Sequence, residues 1–246
     1  MENRKAFIYI GILILLISLA LSITFLEQNW YLCMLVAITG TLVLFFSVFE
    51  QRSASTERVV LIAVLSALSA AGRVVFASIP SVQPSSFIII MTGVVFGCRM
   101  GFMTGAITAM ASNLVLGQGP WTPWQMFCWG MMGLLSGLLA YPIKKSMAFR
   151  LAYGFIWGFI FGWIMNVWFI FAGYIGDINW TAVIAAYIAS FYFDLAHAGA
   201  NVVLLLFFGN LFIRKLERVA VKYGLADMIK KQAFEALPGN NDGQGK

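Results

Sequence analysis

Eight apolar stretches are joined by short polar loops, and all but one of the 16 Lys and Arg residues fit on a single side of the resulting thread. The stretches run 6–26, 31–49, 59–79, 84–98, 100–117, 124–142, 151–174 and 182–213. Threaded back and forth, they bring Arg4, Lys5, Arg52, Arg58, Arg99, Lys144, Lys145, Arg150 and the cations from Arg214 to Lys246 to one face. The positive-inside rule makes that face cytoplasmic and puts both termini there. The loops on the opposite side hold no Lys or Arg. A helix spans hydrocarbon with about 20 residues. The expected fold is therefore all-α, a polytopic membrane helical bundle.

Composition agrees: 61% of the residues are hydrophobic and 11% charged, beyond what a soluble domain carries. The net charge of +6 belongs beside anionic lipid headgroups and does not point to nucleic acid. Cys33, Cys98 and Cys128 lie in or next to apolar runs with no CxxC spacing, and read as packing residues. The run from Ala6 to Leu26 is too long for a signal peptide and no small-residue cleavage site follows it, so a retained helix is expected.

The polar segment 50–58 divides the chain. Residues 1–56 read as an N-terminal transmembrane hairpin, 57–214 as the core, and 215–246 as a basic amphipathic cytoplasmic tail. Lys215 to Leu237 is expected to lie as a helix on the membrane surface, with a disordered end after it. Phe87 to Leu116 is short for two spans and is interrupted at Cys98-Arg99. Two short helices or a re-entrant hairpin inside the bundle both satisfy it. Trp30, Trp121, Trp124 and Trp180 mark the outer interface, where indole sits well.

Arg73 is the one cation inside an apolar run, and it falls in line with Ser66 and Ser69 on one helix face. Tyr187, Ser190, Asp194, His197 and Asn201 repeat at intervals of three and four on the last run and form a second polar stripe. Such stripes must face inward, because hydrocarbon would leave them unsatisfied. Counting rise from the cytoplasmic cations puts Arg73 ~22 Å up, Asn201 ~20 Å, His197 ~25 Å and Asp194 ~30 Å. All belong to the outer half. Arg73 can pair with Asp194 if their helices are neighbours, which gives either a structural ion pair or the lining of a ligand cavity. Asn113, Gln125 and Asn166 add polar groups at the same level and favour the cavity.

The first core helix has another face. Ala63, Ala67, Ala70 and Val74 form a small-residue stripe that suits close helix approach, within this chain or by a separate membrane protein. The outer loop Gly117-Gln-Gly-Pro-Trp-Thr-Pro-Trp-Gln125 combines glycines, prolines, indoles and amides. With Gln118, Trp121, Trp124 and Gln125 it can close over a flat or ring-bearing ligand. Enzyme chemistry finds little support. There is no GxxxxGK[ST] for ATP and no HExxH or His/Cys cluster for a metal, and no cofactor is expected. Ser136 in GLLSG lacks the glycine pattern of an intramembrane serine protease, because Leu134 stands where Gly is required.

Residues 57–214 resemble the substrate-binding, or S, component of energy-coupling factor (ECF) vitamin transporters. The resemblance lies in LIAVLSALSAAGR, SIPSVQPSSFIII, VVFGCRMGFMTGA and GQGPWTPWQMFCWGMMGLLSGLL. GRVVFASIPSVQPSS and GQGPWTPWQMF are most similar to the branch associated with cobalamin uptake. The resemblance implies a six-helix core that holds a vitamin in its outer half under the loops 79–86, 117–123 and 175–181. It implies partners too: a transmembrane coupling subunit that meets Ala63 and Ala67, and two cytosolic ATPase subunits. The hairpin 6–49 lies outside that six-helix pattern. The substrate-binding candidates are Arg73, Asn113, Gln118, Trp121, Trp124, Gln125, Asn166, Asp194, His197 and Asn201, with a corrinoid the leading ligand. A different small vitamin, or a non-transport membrane sensor or assembly module, is the alternative.

Overall fold

A computed structural model describes residues 36, 39, 40, 42 and 43, then 55–119, 121–170 and 179–225. The expected helix 6–26, Cys33, Trp30, most of the loop 175–181 and the tail beyond 225 lie outside the described residues. Seven helices follow one another, with no strand among the described residues: α1 (Thr56–Val75), α2 (Pro84–Phe96), α3 (Cys98–Leu116), α4 (Thr122–Leu138), α5 (Ala140–Lys145), α6 (Met147–Phe169) and α7 (Trp180–Lys222). Three of them, α1, α6 and α7, are long and apolar enough to cross a membrane. The all-helical membrane bundle expected from hydropathy is what forms.

Local chemistry sets the boundaries. Pro84 opens α2 at a position where its missing N–H costs nothing. Ser146 Oγ caps α6 by accepting from the Phe149 amide, and Asn179 Oδ1 caps α7 by accepting from the Ala182 amide. The break between α4 and α5 precedes Pro142, which has no N–H to give the Leu138 carbonyl.

The crowded stretch 84–117 forms two helices joined by a one-residue turn. Gly97 alone makes the turn, with φ 90° and ψ 176°, a region open only to glycine. Arg99 consequently sits in the first turn of α3 instead of in a loop. The helix α2 is 13 residues long, about 20 Å, and every residue after Pro84 is buried. Its apolar groups show no one-sided periodicity because α1, α3, α4 and α7 surround it.

Close helix approach is built from glycine. Where α3 and α4 cross, a Cβ on Gly133 would overlap the Gly101 carbonyl, and one on Gly101 would overlap the Gly133 carbonyl. On α6, Gly154, Gly158 and Gly162 face Leu205, Ala198 and Asp194 of the antiparallel α7. Their spacing is the small-residue repeat that lets membrane helices touch backbone to backbone.

Two expectations change here. The helix α7 runs through 43 residues, so the basic stretch from Lys215 to Lys222 continues the span as one rod. Lys144 on α5 bonds Glu217 of that extension at 2.8 Å. On α1, Ala70 is 8% exposed and turns inward. The exposed face of α1 passes instead through Val60, Ala63, Val64, Ala67 and Leu68.

Candidate functional site

Arg73 occupies the last turn of α1, where a cation meets the negative end of the helix dipole. Ser66 and Ser69, two turns and one turn earlier, are buried and donate to the carbonyls of Thr104 and Ser85. This inward stripe carries the guanidinium toward α3. Its Nη1 donates to Ser112 Oγ and Asn113 Oδ1, both at 2.6 Å. Its Cζ lies 4.9 Å from the centre of the Trp129 ring.

A directional chain leads away from the cation. Asn113 Nδ2 donates to Thr122 Oγ1 at 2.9 Å and to Gln125 Oε1 at 2.8 Å. Thr122 Oγ1 donates to Gln118 Oε1 at 2.9 Å, and Gln118 Nε2 donates to the Met110 carbonyl at 3.0 Å. Each link accepts from the positive side and donates onward, so the bonds polarise one another in the same sense. This network ties the end of α3, the connecting loop and the start of α4 to α1.

The second stripe faces inward as its spacing requires. Asp194, His197 and Asn201 are buried, and Tyr187 and Ser190 half-buried. Most of its hydrogen bonds to other helices go to α6. Asn166 Nδ2 donates to Ser190 Oγ at 2.6 Å, and Ser190 Oγ donates to Asp194 Oδ2 at 3.0 Å. Tyr187 Oη donates to the Trp163 carbonyl, and Asn201 Nδ2 to the Gly154 carbonyl. The Asp194 carboxylate has room because Gly162 stands opposite, where a Cβ would overlap it.

Arg73 and Asp194 do not pair. The only ion pair among the described residues is Lys144–Glu217. The reason is helix order: α1 packs on α2 and α3, whereas α7 packs on α6 and α2. No described carboxylate offsets the Arg73 charge.

The two stripes meet through residues that the spacing argument passed over. Trp129 Nε1 donates to Ser86 Oγ at 3.1 Å, and Ser86 Oγ lies 2.7 Å from His197 Nε2. A serine has one hydroxyl proton. Trp129 occupies one of the two Ser86 Oγ lone pairs, and the imidazole tautomer sets the direction of the Ser86–His197 bond. Phe161 stacks on Trp129 at 5.1 Å and meets His197 edge-on at 5.2 Å.

The ten candidates thus separate. Arg73, Asn113, Gln118 and Gln125 form one network at the corner of α1, α3 and α4. Asn166 and Asp194 belong to the α6–α7 pair, Asn201 holds the same pair farther along, and His197 joins the centre. Trp121 stays at the Trp-bearing end, edge-on to Trp168 at 5.8 Å. Trp180 is 82% exposed and suits an interface. Trp124 does not. It is 4% exposed and packs with Leu42, Phe102 and Ala106, so it is a core residue and not an interface anchor. Ser86, Ser112, Thr122 and Trp129 were missed. Thr122, Gln125 and Trp129 share one face of α4 by their spacing, which was the available signal. Ser136 donates to the Gly133 carbonyl at 2.8 Å, while His197 is engaged with Ser86, so no serine–histidine dyad forms there.

Comparison with known proteins bears on what this arrangement serves. A family model described as the ECF-type riboflavin transporter S component matches residues 53–213. No curated protein and no solved structure matches. S components are the membrane subunits that bind a vitamin and associate with an ECF module of transmembrane and ATPase subunits. The chain belongs to the ECF-type riboflavin transporter S-component family, and is thus a substrate-binding subunit of a vitamin transporter rather than an enzyme.

Proposed function

We propose that the core 57–214 takes a ring-bearing vitamin at its Trp-bearing end, that this end faces the exterior, and that the ligand is a corrinoid. The observation that carries the reading is Arg73. Its guanidinium is half-buried, held by neutral groups and offset by no described carboxylate. A ligand that supplies an anionic or carbonyl oxygen relieves that imbalance. Around it, Asn113, Gln118 and Gln125 present amides, and Trp121 with Trp168 presents aromatic surface. Cobalamin, the complete corrinoid, carries peripheral amides and a phosphodiester and matches both kinds of group. The family description favours a flavin instead, whose flat ring suits the indoles and whose carbonyls suit Arg73.

Titration of the purified chain with cyanocobalamin, cobinamide, riboflavin and smaller vitamins separates these. One-to-one retention of cyanocobalamin is expected. Tight riboflavin binding without corrinoid binding would replace the corrinoid by a flavin. Retention of no vitamin would remove the ligand reading altogether.

The partner surface in this reading is the exposed face of α1, with Ala63 and Ala67 at its centre. Transport then follows from a coupling subunit docked there and driven by two ATPases, with the cations of α5 and α7 on the cytoplasmic side. Ala67→Trp is expected to abolish co-purification with the coupling subunit and leave vitamin binding within about twofold, since the indole would project outward from the bundle. Co-expression followed by affinity capture checks it, and intact complexes with the variant would move the docking surface elsewhere.

A further inference from the structure

We propose that Trp129 is the positioning residue that sets Arg73 and His197 ready for the ligand. The proposal rests on Arg73 contacting the vitamin. Five helices bring a side chain to this point: Arg73 from α1, Ser86 from α2, Trp129 from α4, Phe161 from α6 and His197 from α7. The indole is fully buried and each part of it is used. The ring receives the Arg73 cation and stacks on Phe161, and the N–H fixes Ser86. Ser86 in turn fixes His197, and Phe161 closes the circuit against the imidazole.

Arginine is rotamer-rich, and Arg73 is followed closely by the exposed segment Val75 to Ser78, so its ordering needs a partner. The indole holds it over the buried Ser112–Asn113 pair before any ligand arrives. Ordering that is complete in advance does not have to be supplied by the ligand's own binding energy. The same indole anchors Ser86 Oγ through its N–H and so holds the partner that His197 Nε2 meets at 2.7 Å. Trp129 therefore acts on ligand affinity through two residues without touching the ligand.

The test titrates the full chain, purified in detergent, with cyanocobalamin and riboflavin as probes, and records a thermal midpoint for every variant. The variants are Arg73→Gln, Trp129→Leu, Trp129→Phe, Ser86→Ala and the double Trp129→Phe/Ser86→Ala. Trp129→Leu removes the ring from under the cation and is expected to weaken the retained probe about tenfold. Trp129→Phe keeps a ring and loses the N–H, so it and Ser86→Ala are each expected to cost about threefold. The double variant is expected to be no weaker than either single one, since both cut one link. A packing role alone would lower the thermal midpoint and leave the affinity of the folded fraction unchanged. Loss of binding in Arg73→Gln with wild-type binding in the Trp129 variants overturns the proposal and leaves the ligand reading standing. Unchanged binding in Arg73→Gln overturns the ligand reading itself. If Trp129→Leu does not fold, the conservative pair decides: additive losses in the double variant, or no loss in either single one, refute the link.

Discussion

Gly133→Ala is expected to destabilise the bundle strongly, whereas Gly199→Ala leaves it intact. The two substitutions add the same methyl group to helix interiors. At Gly133 it would overlap the carbonyl of Gly101, a backbone atom that no rotamer change can remove. Overpacking of ordinary cores costs ~1–3 kcal/mol, and a rigid backbone obstacle puts this site at ~3 kcal/mol or more by the same reasoning. Against a total stability of roughly 5–15 kcal/mol such a loss is a large fraction. At Gly199 nothing lies within 4 Å of the new atom, and replacing glycine in a helix by alanine adds up to ~1 kcal/mol. The yield of monodisperse protein in mild detergent and its melting temperature report both. A well-folded Gly133→Ala protein would show that α3 and α4 do not cross as closely as described.

Arg73→Gln should reduce vitamin affinity by about 100-fold, the scale of losing a hydrogen bond made by a charged group in a largely dehydrated site. Arg73→Lys should recover part of the loss, because it restores the charge without the planar fork that reaches Ser112 and Asn113 together. Stability should change far less than affinity, since glutamine remains able to bond Ser112 or Asn113. Calorimetric titration with the retained vitamin, alongside thermal melts, separates the two effects. Equal affinity for the Gln variant and the native chain would exclude Arg73 from the binding site.

Hydropathy carried the architecture. The apolar stretches from residue 59 on became helices among the described residues, the turn at 97–98 fell where the run was interrupted, and the stripes on α1 and α7 faced inward because polar groups in hydrocarbon have nowhere else to go. Helix neighbours were not legible. Periodicity says which face of α7 is buried but not what covers it, so Asp194 found Ser190 and Gly162 rather than Arg73. The repeat at Gly154, Gly158 and Gly162 held that answer in its spacing. The length of α7 was underestimated because a basic segment was taken to begin a new element. Lys, Arg and Glu are good helix formers, and the first breaker after the span is Gly224, where φ is positive. Trp124 was misplaced because an indole near a span end suits either the interface or the core, and only the packing of Phe102 and Ala106 against it decides.

The enclosed helix α2 also bears on how the protein is made. Thirteen residues cannot reach across a bilayer unaided, so the translocon has no complete span to release at that point in synthesis. Part of its wall is supplied by α7, which is made after the other described helices. Until then Ser85 and Ser86, buried in the finished bundle, lack that covering, and Ser86 lacks its histidine. The nascent protein must therefore hold its own centre open until α7 is made, and that helix seals the centre as it docks.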